Sequence, residues 1–304
     1  MAIPEKLIKN ISLNIFWGGF GNHLQQIALA IMYSQKYKKN FILNGHEHIK
    51  DFEINNTSRL LKKIYPIYKD RFFYYGSRQF EGYETDYPII FTDFNYYVEN
   101  FHKIMKEVIK PKINFLQNIK LDENLLVVHI RNLEGHPDYV SNPISYYKFL
   151  FEKYENILIV TDNAKAPIIN KLKTLKDLEI QSTTMQNDFN TLMSATNLAT
   201  SGVGTFSISA AMVSDSLENL YYSNYFLDRH LNPEMLRGKI NKTKLELINY
   251  LGFGEWNKEP KILERYLFSE IKIKSKKILI SLLFYIQSIA PIFFISPPLS
   301  FNSC

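Results

Sequence analysis

Short apolar runs that close on glycine or polar residues alternate along this chain with stretches whose apolar residues recur every three or four positions. That alternation predicts strands and helices in turn, hence an α/β protein. Residues 11–17 form the first predicted strand, which ends in Gly18-Gly19-Phe20-Gly21-Asn22. From Asn22 the spacing of Leu24, Ile27, Ala28 and Ile31 becomes helical. Residues 40–43 and 88–91 are further strands, and a helix over 97–109 is expected to stop before Pro111. The run Leu125-Leu126-Val127-Val128-His129-Ile130-Arg131 has the unbroken apolar character of a strand buried on both faces, and a polar segment, 132–138, follows it. After Asn142-Pro143 comes a short helix, then a buried strand at 157–160 with Thr161-Asp162-Asn163 at its end. A helix over 191–197, a strand over 198–201, a helix over 208–213 opened by Thr205-Phe206-Ser207, and a strand over 219–222 complete the pattern. A boundary near residue 120 divides it into 1–120 and 121–254, and 255–304 forms a terminal extension.

That extension changes the picture most. Lys272, Lys274, Lys276 and Lys277 precede 278–301, a segment without a charged residue that is long enough to span a bilayer. Pro291, Pro297 and Pro298 interrupt it, and Ser281 and Ser288 share a helical stripe, so an in-plane anchor with lysines toward anionic lipid is favoured. A true span and a helix packed on the protein itself are the alternatives. The composition, 46% hydrophobic and 22% charged, is that of a globular chain. A net charge of +6 suits an anionic ligand, a membrane surface or nucleic acid. Without an Arg-rich arm or a basic–aromatic repeat, nucleic acid is not expected as a partner. The single cysteine, Cys304, rules out a disulfide within the chain, which fits a reducing compartment, and residues 1–10 do not have the pattern of a signal peptide.

Candidate chemistry gathers at predicted strand ends. Side chains two apart in a strand share a face, which places His129 and Arg131 together at the carboxyl end, where open α/β sheets bind ligands. An imidazole beside a guanidinium suits a nucleotide diphosphate, because arginine grips phosphate with a fork of N–H donors. The same pair equally fits an arginine bound to a local carboxylate and a solvated histidine. Asp162 falls at the same sheet edge and could accept from a base or ribose, or simply shape an Asx turn. Gly19 and Gly21 with Asn22 let backbone approach a ligand at a helix start, or make only a tight turn. Thr205, Phe206 and Ser207 follow Gly204 as a phosphate cradle or as an ordinary helix cap. His46 and His48 alternate on a loop, but with no third ligand apparent no metal site is expected.

In this order the pieces resemble the fucosyltransferase superfamily, most closely the bacterial-type α-1,2-fucosyltransferases, and more distantly the protein-O- and α-1,6-fucosyltransferases. Residues 18–26 (GGFGNHLQQ) resemble the family's GGLGNQMFQ, and 128–134 (VHIRNLE) its VHxRRGD. Residues 143–163 (PISYYK…LIVTDN) are similar to its Tyr-Tyr helix and strand ending in SDD, and 192–207 (LMSATNLATSGVGTFS) to its LMS…NSTFS block. The resemblance implies a GT-B-like architecture, two Rossmann-like domains facing across a cleft, with 1–120 on the acceptor side and 121–254 holding the nucleotide sugar. It implies that His129 and Asp162 contact the base and ribose of GDP. Arg131 would bind the β-phosphate, Thr205, Phe206 and Ser207 the phosphates, and Gly19, Gly21 and Asn22 would line the sugar and acceptor side.

The chemistry it implies is inversion by single displacement without a metal or other cofactor, and the sequence contains no Asp-x-Asp motif. Two positions depart from the family. Asn132 replaces its second arginine, and Glu134 stands where it has aspartate. Glu134 is the first choice for general base, with Asp138 and His136 behind it. The resulting expectation is a glycosyltransferase moving L-fucose from GDP-fucose to a hydroxyl of a surface glycan, in polysaccharide biosynthesis. It would work in the cytoplasm, peripheral on the inner face of the membrane. The alternatives are a same-fold transferase with another nucleotide sugar and a non-catalytic membrane-associated nucleotide- or glycan-binding protein. A nicotinamide-dependent enzyme is disfavoured because the third glycine of the dinucleotide fingerprint is missing.

Overall fold

The computed structural model describes residues 10–13, 16, 18–56, 68–70, 100–131, 142–201, 204–223, 244–249 and 274–275. They build an α/β structure with two sheets. The smaller has β1 (Asn10–Ser12), β2 (Asn40–Leu43), β3 (Phe52–Ile54) and β4 (Tyr68–Asp70) in the order β3-β2-β1-β4. β1 runs parallel to β2 and β4, and β3 antiparallel to β2. Parallel neighbours need a crossover, and between β1 and β2 it is α1 (Phe20–Lys36). Leu24, Ile27, Ala28 and Ile31 are all fully buried, and so are residues on the helix's other faces, among them Gln25 and Ala30. A helix buried all round belongs to a core between layers.

The larger sheet contains β5 (Leu126–Ile130), β6 (Ile157–Thr161), β7 (Glu179–Gln181), β8 (Asn197–Ala199), β9 (Asn219–Ser223), β10 (Lys244–Asn249) and β11 (Lys274–Ser275). Its order is β11-β10-β9-β8-β5-β6-β7, parallel except for β11. Helices α2 (Ile144–Phe151), α3 (Pro167–Lys173), α4 (Met185–Ser194) and α5 (Phe206–Val213) connect the strands. From β5 the chain steps outward to β6 and β7, then returns to lay β8 on the other side of β5. The strand order therefore reverses between β5 and β8, and the carboxyl ends of those strands flank a topological switch point, where such sheets bind ligands.

The period of two decides which way β5 points its chemistry. Leu126, Val128 and Ile130 pack into a cluster with Ile144, Tyr147 and Ile169 of α2 and α3. Val127, on the opposite face, joins a cluster with Leu24 and Ile27 of α1, Phe189 of α4 and Ile208 of α5. His129 shares the parity of Val127 and so faces α1 and α5.

Several element boundaries differ from those the sequence predicts. β1 ends at Ser12, where its pairing with β2 and β4 ends, so the expected strand to residue 17 is shorter and starts one residue earlier. α1 begins at Phe20, which puts Gly21 and Asn22 inside its first turn. The helix expected to stop before Pro111 instead becomes π-helical over Ile104–Ile109 and 3-10 helical over Lys110–Lys112; Pro111 sits in the first turn of the latter, where a missing N–H is harmless. α4 starts at Met185, capped by Thr184, whose Oγ1 accepts from the backbone N–H of Asn187 at 3.3 Å. Asn197 belongs to β8, not to the helix. Its Nδ2 donates to the carbonyls of Glu123 and Leu125, and its Oδ1 accepts from Asn219. The predicted strand at 88–91 and the segment 278–301 lie outside the described residues. Among those described, no helix is long and apolar enough to cross a membrane.

Candidate functional site

Two helices begin at one place beside the switch point. The N-cap of α1 is Gly19 and that of α5 is Thr205, and neither side chain caps its own helix. The closeness of the two starts depends on Gly21. A Cβ there would lie 2.7 Å from the backbone nitrogen of Phe206 and from the carbonyl carbon of Thr205. Ser209 Oγ donates to the carbonyl of Gly21 at 3.3 Å, and Thr205 Oγ1 donates to Asn22 Oδ1 at 2.5 Å. Thr205 is thus a tie between helices rather than an ordinary cap. With the Asn22 oxygen occupied, the nitrogen of its amide lies against Gly18. Gly18 has φ +79°, and a Cβ on it would sit 2.1 Å from Asn22 Nδ2, so only glycine fits this turn.

Arg131, one residue past β5, closes the third side of the notch made by these two helix starts, near Gly204. The positive ends of two helix dipoles and a guanidinium make an electrostatic site suited to an anion. The notch encloses about 20 Å³, room for roughly one water.

Behind the notch, His129 is 5% exposed and its ring lies 5.6 Å from that of Phe206. Burial first, and the neighbouring Arg131 charge second, push its pKa down to about 3, so it is a neutral imidazole at pH 7. Its Nδ1 is buried without a hydrogen bond, and so is Ser207 Oγ one residue beyond Phe206. Buried polar atoms are ordinarily satisfied, and these two, which flank the lining residue Phe206 by ring contact and by sequence, suit a ligand that supplies the partners, although buried atoms away from the notch, such as the Gln25 amide, also have none.

The structure thus brings together Gly19, Gly21, Asn22, Arg131, Thr205 and Phe206, with His129 and Ser207 behind them. Asp162 is exposed at the end of β6, the strand next to β5. The Asx turn there belongs to Asn163, whose Oδ1 accepts from Lys165 N–H at 3.0 Å. Glu134, His136 and Asp138 lie outside the described residues.

No family model matches the chain, and no curated protein matches it. Among solved structures, a crystal structure of POFUT1 in complex with GDP aligns with 71% of this chain and 98% of its own, at 12% identity and a TM-score of 0.37.

One residue that sequence reasoning passed over joins the two loop histidines. His23, on the first turns of α1, donates from Nε2 to the carbonyl of Gly18 at 2.8 Å. Its Nδ1 lies 3.1 Å from His46 Nε2, and His46 Nδ1 accepts from the backbone N–H of His48 at 3.1 Å. These contacts allow one proton arrangement. A carbonyl cannot donate, so His23 carries its proton on Nε2 and accepts at Nδ1, and His46 carries its proton on Nε2. Both rings are neutral. Burial pushes the pKa of His46 down to about 4, with the neighbouring histidines adding to it, and burial also lowers that of His23. The sequence signal was the histidine inside the glycine-loop motif. Among the described residues no group of three or more His, Cys, Asp or Glu could hold a metal ion.

Proposed function

We propose that this chain is an inverting glycosyltransferase that moves L-fucose from GDP-fucose to a hydroxyl of a surface glycan. The observation that carries the reading is the notch at the switch point, where Arg131 and two helix N-termini converge on one small space. In the reaction the acceptor oxygen attacks the anomeric carbon, the bond from that carbon to the β-phosphate oxygen breaks, and the diphosphate leaves with the negative charge. Arg131 and the oriented N–H groups meet that charge as it develops, which is where preorganised donors have most effect. His129 and Ser207 have buried polar atoms to offer the nucleotide, and Asp162 serves its base and ribose side. Glu134 takes the acceptor proton, with Asp138 as the reserve carboxylate. No metal or other cofactor is needed in this scheme.

A donor panel with wild type and Arg131→Ala tests it. The variant is expected to lose about 10²- to 10³-fold in turnover, as when one oxyanion donor is removed; unchanged turnover would overturn the role of Arg131. A second reading, the same chemistry with another nucleotide sugar, is favoured by Asn132, which stands where the family carries a second arginine. Thermal shift with GDP, UDP and CMP decides between them, since a nucleotide that binds the native state stabilises it. The lysines at 272–277 and the segment 278–301 anchor the enzyme peripherally to the inner face of the membrane in this scheme. Flotation with phosphatidylserine vesicles is expected for the full chain and lost on truncation after residue 254; equal flotation would remove the anchor.

A further inference from the structure

Next to the anion notch, and sharing Phe20 with it, lies a second and much larger space of about 390 Å³. Its volume falls in the range of small-ligand sites. The walls are the rings of Phe16, Phe20, His23, His46 and His48, with Met185 and, toward the mouth, Asn44 and Glu47. Phe16 stands edge-on to His46 at 4.6 Å and tilted against His23 at 5.0 Å, so the imidazole relay and the phenyl ring form one surface.

We propose that this cleft binds an uncharged sugar ring, the terminal residue of the glycan acceptor. The chemistry of the wall selects that class. Among the described residues no lysine or arginine lines the space, whereas the notch beside it contains Arg131. The relay runs in one direction, from His48 N–H through His46 and His23 to the Gly18 carbonyl, and each link requires a neutral ring. At the mouth the Glu47 carboxylate lies 3.5 Å from His48 Nε2, so a carboxylate, sulfate or phosphate entering the cleft would have to compete with Glu47 for that ring. What remains is an aromatic surface for the apolar face of a ring, with the Asn44 amide and the Glu47 carboxylate at its edge as partners for hydroxyls. A phosphate or an acidic sugar gains nothing there, and a hydroxyl-rich neutral ring does.

The position gives the occupant its role. His23 follows Asn22 directly in α1 and bonds the first residue of the glycine loop, so a ring held against it lies one wall away from the notch. That the occupant is an acceptor rests on the transferase reading above; that the cleft takes an uncharged ring does not.

The two can fail separately in one set of measurements on the full-length protein. Saturation-transfer NMR is run with lactose and N-acetyllactosamine as uncharged probes, digalacturonate as the anionic probe and glucosamine as the cationic one. Nucleotide-induced thermal shift is read in parallel. Transfer to the uncharged probes alone supports the proposal. A stronger response from digalacturonate or glucosamine overturns it, as does silence from every probe, or a response that needs added Zn²⁺ to bridge the imidazoles. Sugar binding without any nucleotide shift keeps the cleft and removes the transferase; the reverse removes the cleft alone. Phe16→Ala is expected to weaken the uncharged probes about tenfold and Phe16→Trp to restore them, the size of one lost ring-stacking contact. Equal affinity in all three forms would overturn the assigned surface.

Discussion

At the scale of single residues, the site turns on an atom that is absent. Alanine is ordinarily better than glycine within a helix by about 1 kcal/mol, and Gly21 lies within the first turn of α1. Its Cβ would nevertheless fall 2.7 Å from the backbone of Thr205 and Phe206, which cannot swing aside as a side chain does. Overpacking of this kind costs about 1–3 kcal/mol, so the sign reverses. Gly21→Ala is expected to lower stability in urea unfolding and to weaken nucleotide binding together; a variant more stable than wild type would show that the helix starts are not in contact. His129 makes the second prediction. Its folded pKa of about 3 lies below the ordinary 6.5, so between those values the unfolded chain binds a proton that the native state refuses. Stability is therefore full above pH 6.5 and falls as the pH drops toward 3, with His46 adding the same sign down to about 4. Asp215, lowered by hydrogen bonding to Lys110, acts with the same sign but only below the ordinary carboxylate range near 3.8. The melting temperature is expected to fall from pH 6.5 to 4.5 in wild type and less steeply in His129→Asn. Parallel curves would mean that His129 is charged in the native state.

At the scale of elements, what the sequence made legible was the part governed by local pattern. The apolar run of β5 and the strands β6 and β9 stand within a residue or so of their predicted places, because parallel central strands are buried on both faces and must be apolar throughout. The nearness of Arg131 to the α5 start was also foreseeable, since both follow strands of one parallel sheet, whereas the α1 start follows β1 of the other sheet and reaches the notch only through tertiary packing. Other features depended on partners far along the chain. Three-residue strands such as β3 and β7 have too few side chains to show a period, and they exist through pairing with β2 and β6. Thr205 carries the sequence mark of a cap, yet its hydroxyl goes to Asn22, 183 positions away. Asn197, a poor strand former by composition, is held in β8 by its own amide bonds to 123 and 125. The His23–His46 bond spans 23 positions and is set by the α1–β2 crossover, not by either histidine's neighbours.

At the scale of the molecule, the residues on either side of position 120 share one apolar cluster. Ile11, Phe20, Leu24, Ile27 and Ile31 from the small sheet and α1 pack in it with Val127, Phe189, Leu198, Ile208 and Met212 from the large sheet and its helices. Phe20 makes the join directly, with its ring 5.1 Å from Phe189. Polar ties follow the same seam. Asn190 accepts from the backbone of Gln117 and donates to the carbonyl of Phe115, Ser194 accepts from Ile119, and Lys106 and Lys110 pair with Asp215. The ion pairs are half-exposed and contribute little; the apolar faces of α4 and α5 dominate. Without α1 those faces would meet water, at about 25 cal/mol for each Å² uncovered. The full chain is therefore expected to unfold these two parts in one transition. Residues 121–304 expressed alone should keep far-UV helical signal, lose near-UV aromatic signal and bind a hydrophobic dye, the marks of secondary structure without fixed packing. A fragment with native near-UV dichroism and its own sharp melt would show that the large sheet closes its core unaided. The notch would then be a surface where two self-sufficient bodies meet, rather than a site made by their shared core.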